Sequence, residues 1–184
     1  MRLDPHTSLL CVVDIQARLL PAMPDGPRVV AGAGRLADAA ALLGVRSVLT
    51  EQYPRGLGPT PPELAAKLPP ALTKMAFSCC GSDEFSRVVD DGVDAIVLCG
   101  LETHVCIAQT ALDLLTRGLA VFVAVDAVGS RHLLDHEIAL RRLESAGAIL
   151  TTTEAVLFEW CRSAEHPQFQ AVRRLVLAGR PSPG

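Results

Sequence analysis

Several things are missing from this 184-residue chain. No apolar run approaches the roughly 20 residues of a membrane span. The opening Met1 to Ser8 is short and polar, unlike a secretory signal. Neither sign of charge dominates: 17 Lys and Arg stand against 20 Asp and Glu, a net of −3. That leaves no basic field for nucleic acid or an anionic membrane. Six cysteines occur, at 11, 79, 80, 99, 106 and 161, but none has C-x₂-C spacing, so no zinc motif is present. Cys11 and Cys99 sit in apolar runs and read as small hydrophobes. All six read as reduced thiols of a reducing compartment, so a cytoplasmic location is expected. No G-x-G-x-x-G follows the first apolar run, where Asp14-Ile15-Gln16-Ala17-Arg18 stands instead, and Gly32-Ala33-Gly34 lies in a helical pattern. This weighs against a dinucleotide-binding module. No linker or low-complexity segment interrupts the chain, which reads as one domain over 1–184 with a frayed end at Gly179 to Gly184. A chain this long can bury roughly 70% of its unfolded surface without a staple.

What is present is a repeated unit. A helical pattern ends at a glycine and an apolar strand follows: Ala39 to Leu43, Gly44, Val45 to Thr50; Phe85 to Asp91, Gly92, Ala95 to Cys99; Leu112 to Arg117, Gly118, Val121 to Val125; Leu140 to Ala146, Gly147, Ala148 to Leu150. Glycine suits the left-handed position just past a helix end. The strands are continuously apolar, as a sheet covered on both faces requires. A first strand, Leu9 to Val13, precedes them. Strands alternating with helices imply crossover connections. The expected fold is α/β, a three-layer α/β/α sandwich around a mainly parallel, Rossmann-like sheet. The stretch from Tyr53 to Pro70 breaks the rhythm with eight prolines and glycines and predicts a rigid loop with one short helix at most.

Open parallel sheets bind ligands beyond the carboxyl ends of their strands. The residues there are Asp14, Thr50-Glu51, Lys74 after a short strand Ala71 to Thr73, Gly100 to Cys106, Asp126 and Thr151. Cys106 follows a strand and a polar turn and opens the helix Ile107 to Arg117. Unpaired N–H groups and the helix dipole there favour a thiolate, and such cysteines can drop to a pKa of roughly 3.5–7.5. Each candidate also has a structural reading. Cys106 suits packing, Asp14 or Asp126 suits a helix cap, and Lys74 suits a solvated surface. Only convergence in space distinguishes the two.

These residues resemble a known family. Asp-Ile-Gln after the first strand, Lys74 before Met75-Ala76-Phe77, and Gly-Leu-Glu-Thr-His-Val-Cys-Ile-Ala-Gln-Thr-Ala over 100–111 are similar to the isochorismatase-like hydrolases. The resemblance runs from the first strand to about Phe169. The Glu51 to Thr60 segment, Thr110 to Leu114 and His166-Pro167-Gln168-Phe169 narrow it to the isochorismatase domain-containing branch. It implies a triad of Asp14, Lys74 and Cys106 and a thioester route for amide or related acyl hydrolysis. It implies an oxyanion hole from the backbone N–H groups of Glu102 and Cys106, with a non-proline cis peptide at Leu101–Glu102. It also implies a small-molecule substrate and a homo-oligomer, a dimer or tetramer.

Two departures refine this. Metal-binding relatives carry Asp-x-His where this chain has Glu51-Gln52-Tyr53, so no catalytic metal and no cofactor is expected. Isochorismatases proper usually lack the nucleophilic thiol, so Cys106 argues for C–N or ester cleavage. Gln16, Tyr53 and Phe77 stand after strand ends and either line a substrate pocket or pack in the core. His104 reads as rim or interface, Cys79-Cys80 as reduced neighbours or a redox-sensitive pair strained as a disulfide, and His132 with His136 as a solvated face or, at i, i+4, a metal pair lacking a third ligand. The alternative to an enzyme is a binding or scaffold protein that keeps the hydrolase fold.

Overall fold

The apolar runs become the centre of a six-stranded sheet in a computed structural model that describes residues 1–178; the expected frayed end at 179–184 lies outside the described residues. The strands are β1 (Ser8–Val13), β2 (Arg46–Gln52), β3 (Leu72–Lys74), β4 (Ala95–Leu101), β5 (Ala120–Gly129) and β6 (Ile149–Thr151). Every pairing is parallel and the order is β3-β2-β1-β4-β5-β6. β1 and β4, at the middle, are buried along their whole length.

Among the described residues, eight helices accompany the sheet: α1 (Gly26–Leu43), α2 (Pro54–Leu57), α3 (Pro62–Ala65), α4 (Asp83–Asp90), α5 (Ala108–Thr116), α6 (Leu133–Ser145), α7 (Thr153–Cys161) and α8 (Phe169–Ala178). One apolar core joins α1, α7 and α8 to one face of the sheet through Val29, Leu36, Trp160 and Val172, against Leu10, Val12 and Phe122. A second joins α4, α5 and α6 to the other face through Phe85, Leu114 and Leu143, against Leu9, Ile96 and Val123. The expected three-layer α/β/α arrangement is therefore present. Gly44 ends α1 with φ 71°, its N–H donating to Ala40 O, the left-handed stop that only glycine adopts without cost.

The segment rich in proline and glycine holds two one-turn helices, α2 and α3, rather than one at most. Pro54 and Pro62 each open a turn, where a missing N–H loses nothing. β5 also runs further than its apolar centre suggested. The pairing of β4 with β5 shifts register between Leu98 and Gly100, after which Gly100 faces Val128 and Leu101 faces Gly129. Beyond the shift the two strands stay paired up to Leu101 and Gly129, at the start of the turn that carries Cys106.

The chain order reverses between β1 and β4. Neighbouring strand ends diverge at such a point and leave a crevice in which α/β proteins hold ligands. Asp14 ends β1 there, and the turn that carries Cys106 ends β4.

Candidate active site

Asp14 is the first residue after β1 and has φ 51°. Aspartate tolerates this left-handed backbone better than most residues. Its N–H donates to Thr50 O at 3.1 Å, which fixes the turn on β2. The carboxylate is then shared. Thr50 Oγ1 donates to Oδ1 at 2.8 Å, and Lys74 Nζ donates to Oδ2 at 2.6 Å. Both charged side chains are only 1% exposed. Lys74 is the last residue of β3 rather than the residue after it, and its ammonium also donates to Phe77 O at 2.8 Å and Ala76 O at 3.2 Å. All three of its donors are used, so the burial of the charge is matched by partners. Burial works to lower the Lys74 ammonium, but Asp14, with smaller help from Cys79 and Cys106, carries it above its ordinary value.

Cys106 does not open a regular α-helix. It lies inside a π-helical turn, Thr103–Ile107, that bridges β4 and α5. Glu102 O accepts the N–H groups of Val105 at 3.0 Å and Ile107 at 3.2 Å, passing over that of Cys106. The Leu101–Glu102 peptide bond is cis, as the resemblance implied. The Cys106 thiol lies within electrostatic reach of Asp14 and Lys74, and the residue is 6% exposed. The expected depression of its pKa is not what the surroundings produce. Burial pushes the thiol up, Asp14 adds to this, and Lys74 only partly opposes it. A helix start was visible in the sequence; the depth of the thiol was not.

The structure thus joins Asp14 to Lys74 and sets both within electrostatic reach of Cys106. Such a group can move a proton from sulfur to carboxylate while an ammonium keeps the carboxylate oriented. The sequence reading gave no part to Thr50, whose hydroxyl holds the second carboxylate oxygen. Its signal was its place at a strand end, but its partner was fixed by the register that sets Thr50 opposite Val13. Cys79 lies behind it, buried and free, with Sγ 3.8 Å from Thr50 Oγ1 and its N–H donating to Thr110 Oγ1 at 2.9 Å.

The other candidates divide. Gln16 is fully buried. Its Nε2 donates to Gln52 O at 3.1 Å and Gly58 O at 2.7 Å, and its Oε1 accepts Gln52 N at 2.9 Å. Its amide is committed to tying β2 to the loop after α2. Tyr53 and Phe77 keep large exposed surfaces, and the carbonyl of Phe77 touches Lys74. Glu51 Oε1 accepts Thr60 N at 2.7 Å and so anchors the same loop. Asp126 turns away from the site and accepts Thr153 N at 2.7 Å at the start of α7. His104 is tied to Ser130 Oγ through Nδ1 at 3.0 Å. His136 meets Thr103 Oγ1 through Nδ1 at 2.9 Å, a contact the solvated-face reading did not include.

Comparison with known proteins adds the lineage. The Isochorismatase domain family model matches residues 8–155. The chain is 42% identical over 183 residues to isochorismatase domain-containing protein 2 of Bos taurus, covering 100% of this chain and 89% of that one. Its fold is similar to that of the MAR1 ribonuclease structure from Caenorhabditis elegans, with TM-score 0.94 and 40% identity over 100% of this chain and 96% of the other. It is also similar to the YcaC gene product of Escherichia coli, described as an octameric hydrolase of unknown specificity, with TM-score 0.84 and 28% identity over 97% and 96% of the two chains. The chain belongs to the isochorismatase domain family.

Proposed function

We propose that this protein is a cysteine hydrolase that cleaves a small-molecule amide, or a related acyl bond, through a thioester on Cys106. The observation that carries this reading is a single buried carboxylate, Asp14, ion-paired with Lys74 at 2.6 Å and close enough to the Cys106 thiol to act on its proton. The raised pKa of Cys106 means that the sulfur rests as a thiol, so its proton must leave during attack. Asp14 is the acceptor already in place. As the S–C bond forms, the carbonyl oxygen takes the negative charge, and the N–H groups of Glu102 and Cys106 are its donors. Collapse of that intermediate breaks the C–N bond, and the departing amine takes the proton from Asp14. A water then gives its proton to Asp14 and attacks the thioester, and the proton returns to sulfur as the acid leaves. Lys74 keeps Asp14 aimed. Tyr53 and Phe77 offer the substrate apolar walls; Gln16 serves by fixing the loop beneath.

The free thiols fit a cytoplasmic protein, and among the described residues no helix is long and apolar enough to cross a membrane. We further propose that the chain assembles with copies of itself as a dimer or tetramer. The octameric description of the YcaC structure and the exposed Leu133, Leu134 and Ile138 of α6 support this.

The test is direct. The wild type, Cys106→Ala and Asp14→Asn are each mixed with a panel of small amides and aryl esters, and intact mass is read for an acyl adduct. The wild type is expected to gain one acyl group, Cys106→Ala none, and Asp14→Asn to acylate about 10²–10⁴-fold more slowly. A wild type that never gains an acyl group from any member of the panel leaves a binding or scaffold protein instead.

A further inference from the structure

The turn that carries Cys106 is tied by side chains to the segment that leads into α6. Three consecutive side chains after β4 each hold the segment Ser130 to His136. Glu102 Oε2 accepts both Arg131 N at 3.0 Å and Arg131 Nε at 3.1 Å. Thr103 Oγ1 pairs with His136 Nδ1, and His104 Nδ1 with Ser130 Oγ. The first of these contacts differs from the others because it is ionic. The Glu102 side chain is 8% exposed, whereas that of Arg131 is 52% exposed. Arg131 is the cation paired with this carboxylate, and its Nη1 and Nη2 have no partner among the described residues.

Glu102 therefore has two parts with opposite electrostatic consequences. Its backbone N–H offers positive charge beside Cys106, while its carboxylate places a negative charge a few bonds away in a poorly solvated place. An uncompensated carboxylate there would repel the developing oxyanion that the N–H is meant to hold. It would also seek other donors and pull the turn with it. We propose that Arg131 is a positioning residue for the oxyanion-binding turn, neutralising the Glu102 carboxylate and fixing its direction so that the Glu102 N–H faces the reacting carbonyl. The inference rests on the hydrolase reading above and adds a residue that the sequence did not mark. The guanidinium lies at the surface and fills no core space, so its replacement leaves the packing intact.

The test uses two reactions of the same thiol. Acylation of Cys106 by p-nitrophenyl acetate passes through an oxyanion; alkylation by iodoacetamide displaces iodide at a saturated carbon and does not. Both are measured by intact mass on the wild type, Arg131→Gln, Arg131→Lys and the double variant Glu102→Gln with Arg131→Gln. Arg131→Gln is expected to slow acylation by about 10- to 100-fold, less than the ~10²–10³-fold for outright loss of an oxyanion donor, while alkylation holds its rate. Arg131→Lys recovers much of the acylation, and so does the double variant, because the unpaired charge is gone. An unchanged ratio of the two rates in Arg131→Gln overturns the proposal, as does a parallel fall of both rates or a double variant no faster than Arg131→Gln. A wild type that accepts no acyl group fails before any variant is compared; that result removes the hydrolase reading, and this inference with it.

Discussion

At the scale of single residues, the site is a problem in placing charge away from water. Burying an ammonium and a carboxylate costs free energy that their attraction rarely exceeds. Removing one member of such a pair is expensive, about 3–5 kcal/mol, because the other is left stranded. Asp14 and Lys74 meet this with a full set of partners: Thr50 for one oxygen, and two carbonyls for the spare ammonium protons. The thiols respond differently. Burial raises both Cys99 and Cys106 above their ordinary 9.0. Below pH 9 the folded and unfolded chains hold these protons equally. Above it the unfolded chain releases protons that the folded chain keeps, so stability falls as pH rises toward the folded values. Each such thiol contributes up to about 1.4 kcal/mol of loss per pH unit. Urea midpoints measured from pH 7 to 10.5 should therefore be level and then fall, with a shallower fall in Cys106→Ala. An equal slope in the two proteins would mean that Cys106 ionises as freely as in the open chain.

The residue scale also marks what the sequence could disclose about the site. Asp14, Lys74 and Cys106 were legible because each stands at a strand end and because their order resembles a family. Thr50 was not singled out, since its role comes from lying opposite Val13 in the pairing of two strands. Arg131 was silent for the same reason: nothing near it in the chain announces a partner 29 positions earlier. The direction of the Cys106 shift was misjudged because local position shows a helix start, whereas desolvation depends on what the rest of the chain lays over it.

At the scale of elements, α1 shows how one residue type takes opposite parts within a turn. A Cβ built on Gly32 would lie 2.8 Å from Ala127 Cβ, while one on Gly34 meets nothing within 4 Å. Gly32 is the point where the helix presses onto β5. Gly34 is a cost with no visible return, since glycine inside a helix is about 0.5–1 kcal/mol worse than alanine. Gly34→Ala is expected to raise the thermal midpoint, and Gly32→Ala to lower it through overpacking worth about 1–3 kcal/mol. Calorimetric melts of the two variants decide it; equal shifts would show that the helix does not seat at Gly32. Element types were readable from the rhythm of helix, glycine and apolar strand. Their ends were less so: β4 and β5 both ran beyond their apolar centres, because the register shift at Gly100 depends on how two distant strands meet.

At the scale of the whole molecule, the strand order lay beyond the sequence reading, which gave a parallel sheet without saying which strands adjoin. Pairing between strands far apart in the chain is fixed by packing of the assembled layers and leaves no local mark. The apolar beginning of α6 points outward in the same way. Leu133, Leu134 and Ile138 are exposed, and three such side chains together are a weight on any protein alone in water. Light scattering on the eluted wild type is expected to give a mass of two or four chains, and Leu134→Lys with Ile138→Lys to move it toward one. A wild type that elutes as a single chain at micromolar concentration removes the assembly.

The reversal of chain order between β1 and β4 has a last consequence. Because the acid, the amine and the sulfur enter from β1, β3 and the end of β4, which come together only when the sheet β3-β2-β1-β4 has assembled, no fragment of this polypeptide carries even a weakened version of the site. Truncation before β4 would leave an acid and an amine with nothing to activate. The labelling behaviour of one sulfur is thus a gauge of native topology, and it should return on refolding only when the central strands have found their neighbours.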